Sequence, residues 1–285
     1  MKSTFSLPSI FVFCLVAFGS FGQAAAQRLA ILVPDKTPLA ENFVDDLRET
    51  LSSGPTVLDN SLSETAFKSV AVENTFNMTT AESKRLAAVI GCDYFVIVRT
   101  GELRRSSFEK PEYYEAFSVS YLVSGRTGRL VFWELKNFIA DTPAEAKKVL
   151  LKSVGDYSAN IVEKIRTGFK VEIAAKSNGS IEEVPSDDSA ETKTFRPPMP
   201  YKRIKPEYPG IAYLYGARGT VDISVDVDEK GTIMRTEIVR WAGYGLDEAV
   251  DDAVRKMNWR PAERSGKPLP MRVLLRYNFT KIEKE

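Results

Sequence analysis

The chain has 285 residues, enough for two ordinary domains, and its 44% hydrophobic and 27% charged residues are those of a folded soluble protein. Its 39 Lys and Arg balance 38 Asp and Glu, which argues against a general nucleic-acid binder. It contains no histidine, which removes the commonest general base, the Ser-His-Asp arrangement and most zinc and haem sites.

Residues 1–26 have the form of a secretory signal peptide. Lys2 gives the positive start, Ile10 to Phe21 the short apolar core, and Ala24-Ala25-Ala26 a small-residue cleavage site. The apolar run is shorter than the roughly 20 residues of a comfortable membrane span. Cleavage before Gln27 would leave a periplasmic protein, and an uncleaved inner-membrane anchor facing the periplasm is the alternative. Cys14 lacks the small-residue context of a lipoprotein signal. Cys92 is then the single cysteine of the exported chain, read as a buried packing residue.

Arg28–Pro34 predicts a strand buried on both sides, because Leu29 to Val33 are continuously apolar. Phe43, Leu47 and Leu51 mark a helix face closed by Gly54-Pro55. Thr79-x-x-Glu82 has capping-box form and opens a helix through Leu86, Ala87 and Ile90 to Gly91. Asp93–Thr100 reads as a second buried strand, so the order predicts a partly parallel sheet with crossover helices. Residues 113–140 predict a hairpin with a half-exposed pleat, Phe117, Val119, Tyr121 and Val123 alternating with serines before a turn at Ser124–Gly128. A long helix opened by Thr142-Pro143-Ala144-Glu145 follows, with Ala146, Val149, Leu150, Tyr157, Ile161 and Ile165 on its apolar face and Gly168 at its end.

Residues 27–169 thus read as a mixed α/β domain of unknown role. Residues 170–197 read as a flexible linker: Ser177–Ser180 and Pro185–Ser189 are polar and aperiodic, and the stretch is net acidic. Its average reach of roughly 30 Å predicts that the flanking domains move independently.

Residues 198–285 read as a small α+β domain. Lys205-Pro206-Glu207-Tyr208-Pro209 opens it, followed by Gly216 and Gly219. Val221, Ile223, Val225 and Val227 alternate with Asp222, Ser224 and Asp226 as a half-buried strand, and Asp228–Gly231 turns it into a returning strand at 232–241. Leu246, Ala249, Val250, Ala253, Val254 and Met257 lie on one helix face, stopped by Trp259-Arg260-Pro261-Ala262. A last strand alternates Met271, Val273, Leu275, Tyr277 and Phe279 with Arg272, Leu274, Arg276 and Asn278. Following a helix and a Pro-rich approach, this strand can lie at a sheet edge, where an extended peptide can add to it. Arg272 and Arg276 would face outward, either to select an acidic or polar peptide or as ordinary protection against edge-to-edge pairing.

The ordered set Tyr208-Pro209, Gly216, Gly219, Val221, Gly231, Leu246-Asp247, Ala249, Trp259, Pro261-Ala262, Gly266-Lys267-Pro268 and Phe279 resembles the C-terminal domain of the TonB energy-transducer family. The resemblance implies strand addition of a receptor segment to the last strand, at Arg272, Leu274, Arg276 and Asn278. It also implies a receptor contact through Lys205–Pro209, where Lys205 replaces the glutamine of a Gln-Pro-x-Tyr-Pro segment. Gly216, Gly219, Gly231, Trp259, Pro261 and Ala262 are expected to be structural. Without a histidine or a Pro-rich rod, proton-motive coupling through the family's usual contacts is not expected. The first domain resembles the curli-secretion and TolB amino-terminal α/β families through Ile90-Gly91-Cys92-Asp93-Tyr94 and the Ser124-x-x-Thr127-Gly128 turn, which implies a protein-interaction role.

Catalytic signals are few. No Cys-x-x-Cys, Gly-x-Gly-x-x-Gly or Gly-Lys-Ser/Thr loop occurs. The acidic pairs Asp45-Asp46 and Asp251-Asp252 are adjacent on helices and do not converge on one spot. Asn77-Met78-Thr79 and Asn278-Phe279-Thr280 fit a glycosylation pattern that recurs by chance. The expectation is a non-catalytic periplasmic envelope protein without cofactor or metal, binding an outer-membrane TonB-dependent receptor or another envelope protein by strand addition. A homodimer is allowed, and membrane contact is expected only through the signal or anchor. The alternatives are a membrane-anchored energy transducer, or a ligand-binding first domain with a structural TonB-like appendage.

Overall fold

A computed structural model describes residues 27–51, 54–174, 181–184 and 195–280, with side chains at 169–174 left aside. The signal-peptide reading of residues 1–26, and the linker stretches Ser177–Ser180 and Pro185–Ser189, fall outside the described residues.

The first part of the chain runs β1 (Arg28–Leu32), α1 (Pro38–Thr50), β2 (Thr56–Val57), α2 (Asn60–Ser69), α3 (Thr80–Ile90), β3 (Tyr94–Arg105), β4 (Tyr113–Ser124), β5 (Leu130–Ala140), α4 (Pro143–Lys152) and α5 (Val154–Ala174). Helix starts follow local chemistry. Thr37 caps α1 by accepting the Ala40 N–H at 3.1 Å. The expected capping box opens α3: Thr79 Oγ1 accepts the Glu82 N–H at 3.1 Å, and the Glu82 carboxylate accepts the Thr79 N–H at 2.7 Å. One five-stranded sheet results, in the order β2-β1-β3-β4-β5, with β1 parallel to β2 and β3 and the rest antiparallel.

The second part runs β6 (Phe195–Arg196), β7 (Met199–Pro200), α6 (Gly210–Leu214), β8 (Gly219–Val227), β9 (Ile233–Arg240), α7 (Leu246–Arg255), β10 (Trp259–Arg260), β11 (Ala262–Arg264), β12 (Lys267–Leu269) and β13 (Met271–Phe279). Its main sheet is antiparallel in the order β13-β8-β9, and α7 packs on the Val221, Ile223, Val225 and Val227 face. The short strands pair as β12-β11-β6 and β10-β7.

Sheet periodicity splits the large sheet into two cores. Leu29, Ile31, Val96, Val98 and Leu122 face α1, α4 and α5. Ala30, Leu32, Phe95, Ile97, Val119, Tyr121 and Val123 face α3 and the C-terminal part, in a core continuous with Val221, Trp241 and Leu246. The half-exposed hairpin is therefore corrected: β4 is covered on both faces, and Ser118 and Ser120 are 1% and 0% exposed. Their small side chains sit on the helix-covered face. Gly168 does not end a helix either, because α5 runs through it. A Cβ there would lie 3.2 Å from Val131, so this glycine serves close packing on β5.

Independent domain motion is also corrected. Asn77 Nδ2 donates to the carbonyls of Thr220 at 2.8 Å and Trp241 at 2.6 Å, and its Oδ1 accepts the Thr220 N–H at 2.9 Å. Trp241 is fully buried with its ring 5.7 Å from Tyr121. Gly243, Tyr244 and Gly245 hold φ of 70°, 54° and 78°, a left-handed run that turns Tyr244 toward Tyr121, Trp133 and Tyr215. Arg129 Nε reaches Glu237 at 2.7 Å across the same boundary. Linker length limits how far two parts can separate but says nothing of their mutual attraction. Burying a side chain of this size stabilises by about 1.5–3 kcal/mol, so several such contacts outweigh a tether's freedom.

Candidate strand-docking edge

β13 is laddered to β8 from Met271↔Val227 to Phe279↔Gly219, and its other side is the site. The Arg272 N–H donates to Glu182 O at 2.8 Å, away from β8. In an antiparallel ladder such groups alternate, so the N–H and C=O of Leu274, Arg276 and Asn278 point the same way. Among the described residues, backbone hydrogen bonds from outside the ladder reach Arg272 and none of those three. Leu274 is 57% exposed. Among the described residues the edge is thus taken at one end and open along the rest.

The outward arginines are not free: Arg276 is exposed and Arg272 half-buried, and both are engaged by the neighbouring strand. Even-numbered residues of β13 occupy non-hydrogen-bonded pairs, where facing side chains come closest. Arg272 faces Asp226 and Arg276 faces Asp222, each as a two-pronged fork with bonds of 2.7 and 2.9 Å. Arg240 of β9 adds a bond to Asp222 at 3.3 Å. Both aspartates are 3% exposed, and a buried carboxylate without such a partner is strongly destabilising. Burial pushes the Asp222 carboxyl up, but Arg276 and Arg240 outweigh it and hold it below the usual range. The guanidiniums therefore first neutralise the protein's own carboxylates. Alternation places a side chain on a face; it does not say what lies across the ladder.

The other sequence-selected residues fall around this edge. Tyr208 stacks edge-on against Phe279, with centroids 5.5 Å apart, and its hydroxyl donates to Ala217 O, so the Lys205–Pro209 segment meets the far end of β13. Pro206 is buried and Pro209 half-buried, while Lys205 and Glu207 are exposed. Asn278 accepts from the Thr220 hydroxyl at 2.9 Å. Gly219 admits Asn77: a Cβ there would stand 3.3 Å from the amide. Gly231, at φ 81°, would place a Cβ 2.1 Å from Trp259 O, and Gly216 has φ 60°. Trp259 and Ala262 are buried and Pro261 lies half-buried between them.

Sequence reasoning missed Ile181–Val184 and Arg264, which meet at the occupied end, and the buried Asp222 and Asp226. The aspartates carried a signal: like the arginines they stand four apart on one strand, so a single register pairs both. A cavity of about 440 Å³ lies beside β9 and α7, but its arginines are matched internally, Arg255 with Asp251 at 2.7 Å and Arg235 with Glu237 at 2.6 Å. Asp45 and Asp46 are exposed. No helix among the described residues is long and apolar enough to cross a membrane.

Residues 204–280 match the family model of the Gram-negative bacterial TonB protein C-terminal. This TonB-like module makes up less than a third of the chain. Among solved structures, the Pseudomonas aeruginosa TonB C-terminal domain is 23% identical, covering 35% of this chain and 96% of that one at a TM-score of 0.27. Lipoprotein GNA1162 from Neisseria meningitidis is 15% identical, covering 47% and 99% at 0.33. The LpoB C-terminal domain from Salmonella enterica is 13% identical, covering 41% and 85% at 0.26. Likenesses this distant carry no argument about function. No curated protein matches the chain.

Proposed function

We propose that this chain is a non-catalytic, periplasmic envelope protein whose TonB-like module takes an extended peptide from an outer-membrane receptor or another envelope protein as an added strand. The observation that supports this most directly is the open stretch of β13, where the outward N–H and C=O of Leu274, Arg276 and Asn278 await a partner. The exposed Leu274 lies within it, and Lys205–Pro209 flanks its far end. The first domain is the platform on which the module is fixed, so the partner docks to a rigid body.

The alternation provides a clean test. Leu274→Pro removes a donor from the open side and no ladder bond to β8, a position where an edge strand tolerates proline. Calorimetric titration of residues 27–285 with periplasmic receptor segments should show binding by the wild type. The variant should bind about fivefold more weakly, the worth of one net hydrogen bond near 1 kcal/mol. Binding unaffected by Leu274→Pro, or no binding by the wild type, rejects strand addition.

A further inference from the structure

We propose that the acidic segment Ile181–Val184 is a built-in occupant of the docking edge, and that the external guest displacing it is an extended peptide with adjacent carboxylates followed by a β-branched apolar residue. This rests on the strand-addition reading for its external partner, but the occupancy itself stands on separate observations.

Three kinds of contact seat the segment. Its backbone pairs parallel to β13 at Glu183↔Arg272, with Arg272 N–H to Glu182 O at 2.8 Å and Val184 N–H to Arg272 O at 3.2 Å. Its carboxylates meet cations: Glu182 bonds the Arg264 guanidinium, and Glu183 lies 3.9 Å from Arg272. Val184 packs on a small apolar cluster of Phe195, Ala262, Met271 and Leu269. Acid, acid, apolar is therefore the pattern that this end of the edge accepts.

The magnitudes make the segment removable. The Glu182 and Glu183 side chains are 49% and 77% exposed, and ion pairs so open to water are screened and weak. Arg272 is already matched by Asp226, so the Glu183 position adds less than a free cation would. The uncovered groups from Leu274 to Asn278 offer a foothold from which a longer guest can advance toward Arg272.

The test uses residues 27–285 and a synthetic peptide copying the protein's own residues 178–187. In the wild type the tethered segment competes at high local concentration. In Glu182→Lys/Glu183→Lys that competition weakens, so the peptide should bind about tenfold tighter. Amide exchange at Arg272 should quicken in the variant while Val273 and Leu275, bonded to β8, stay protected. A peptide with lysines at both glutamate positions should bind neither protein. Equal peptide affinity for both proteins, unchanged exchange at Arg272, or equal binding of the lysine peptide each overturns the inference. If the exchange result holds while receptor segments fail to bind, the receptor reading falls and the internal occupancy stands.

Discussion

Asn77 joins the first domain to the TonB-like module, and its removal tests whether the two parts form one body. The residue is 6% exposed, and its amide serves three backbone groups of the module, two on Thr220 and one on Trp241. Asn77→Ala leaves those groups buried without the partner they have now. Each orphaned group costs about 1–3 kcal/mol, and with partial relaxation the sum is about 3 kcal/mol. For a urea dependence of about 2 kcal/mol per molar, the unfolding midpoint falls by about 1.5 M. Tryptophan fluorescence reads the boundary directly, since Trp133 and Trp241 lie on its two sides, and far-UV circular dichroism reads the whole chain. The wild type should unfold in one transition by both probes. Asn77→Asp keeps the accepting oxygen but turns an acceptor toward two carbonyls, so it should destabilise at least as much as alanine and separates hydrogen bonding from size. A loss below about 0.5 kcal/mol in Asn77→Ala, the range of an ordinary surface substitution, would refute the reasoning. So would two separated transitions in the wild type.

Gly243→Ala combines a φ of 70° with a Cβ 2.5 Å from the Tyr121 ring, and should lower stability by about 2 kcal/mol or more in calorimetry. Gly216→Ala, with φ 60° and open space around it, should lose only the backbone cost of about 1–2 kcal/mol. Equal losses would reject the close approach at Tyr121. Burial pushes the Asp247 carboxyl up to about 7, despite bonds from the Ala242 and Gly243 N–H groups at 2.9 and 2.8 Å. Its folded value lies above the unfolded 3.8, so its contribution is fully present below about 4 and is lost as pH rises toward 7. Between pH 5 and 7 that loss is about 1.4 kcal/mol per pH unit, and Asp247→Asn should abolish this slope in denaturation curves. An unchanged slope would show that another group titrates. Asp222, held low by its arginines, acts with the opposite sign: it stabilises above its unfolded value, and that stability is lost as the medium becomes more acid.

Local signals proved readable where one segment decides the outcome. The Thr79–Glu82 box and the Leu246–Met257 stripe each produced the expected element, because capping and amphipathicity depend on neighbours a few residues away; the Val221–Val227 alternation produced its strand, but with both faces buried rather than one. The module's identity was legible in its ordered turns. What lay hidden depends on distant partners. Ser118 and Ser120 read as solvent-facing until helices from further along the chain covered them. Arg272 and Arg276 read as free outward cations until the register of β8 set aspartates across from them, although Arg276 stays exposed. The short pairs at Trp259–Leu269 were invisible because two- and three-residue strands carry no period, as in Trp259–Arg260.

The Trp241–Gly245 turn has a practical corollary for anyone who would work with the last ninety residues alone. Cut from its platform, that piece would present the indole of Trp241 and the phenol of Tyr244 to water. Clumping or dimerisation of such a fragment would then report the amputation, and would say nothing about how the intact molecule assembles.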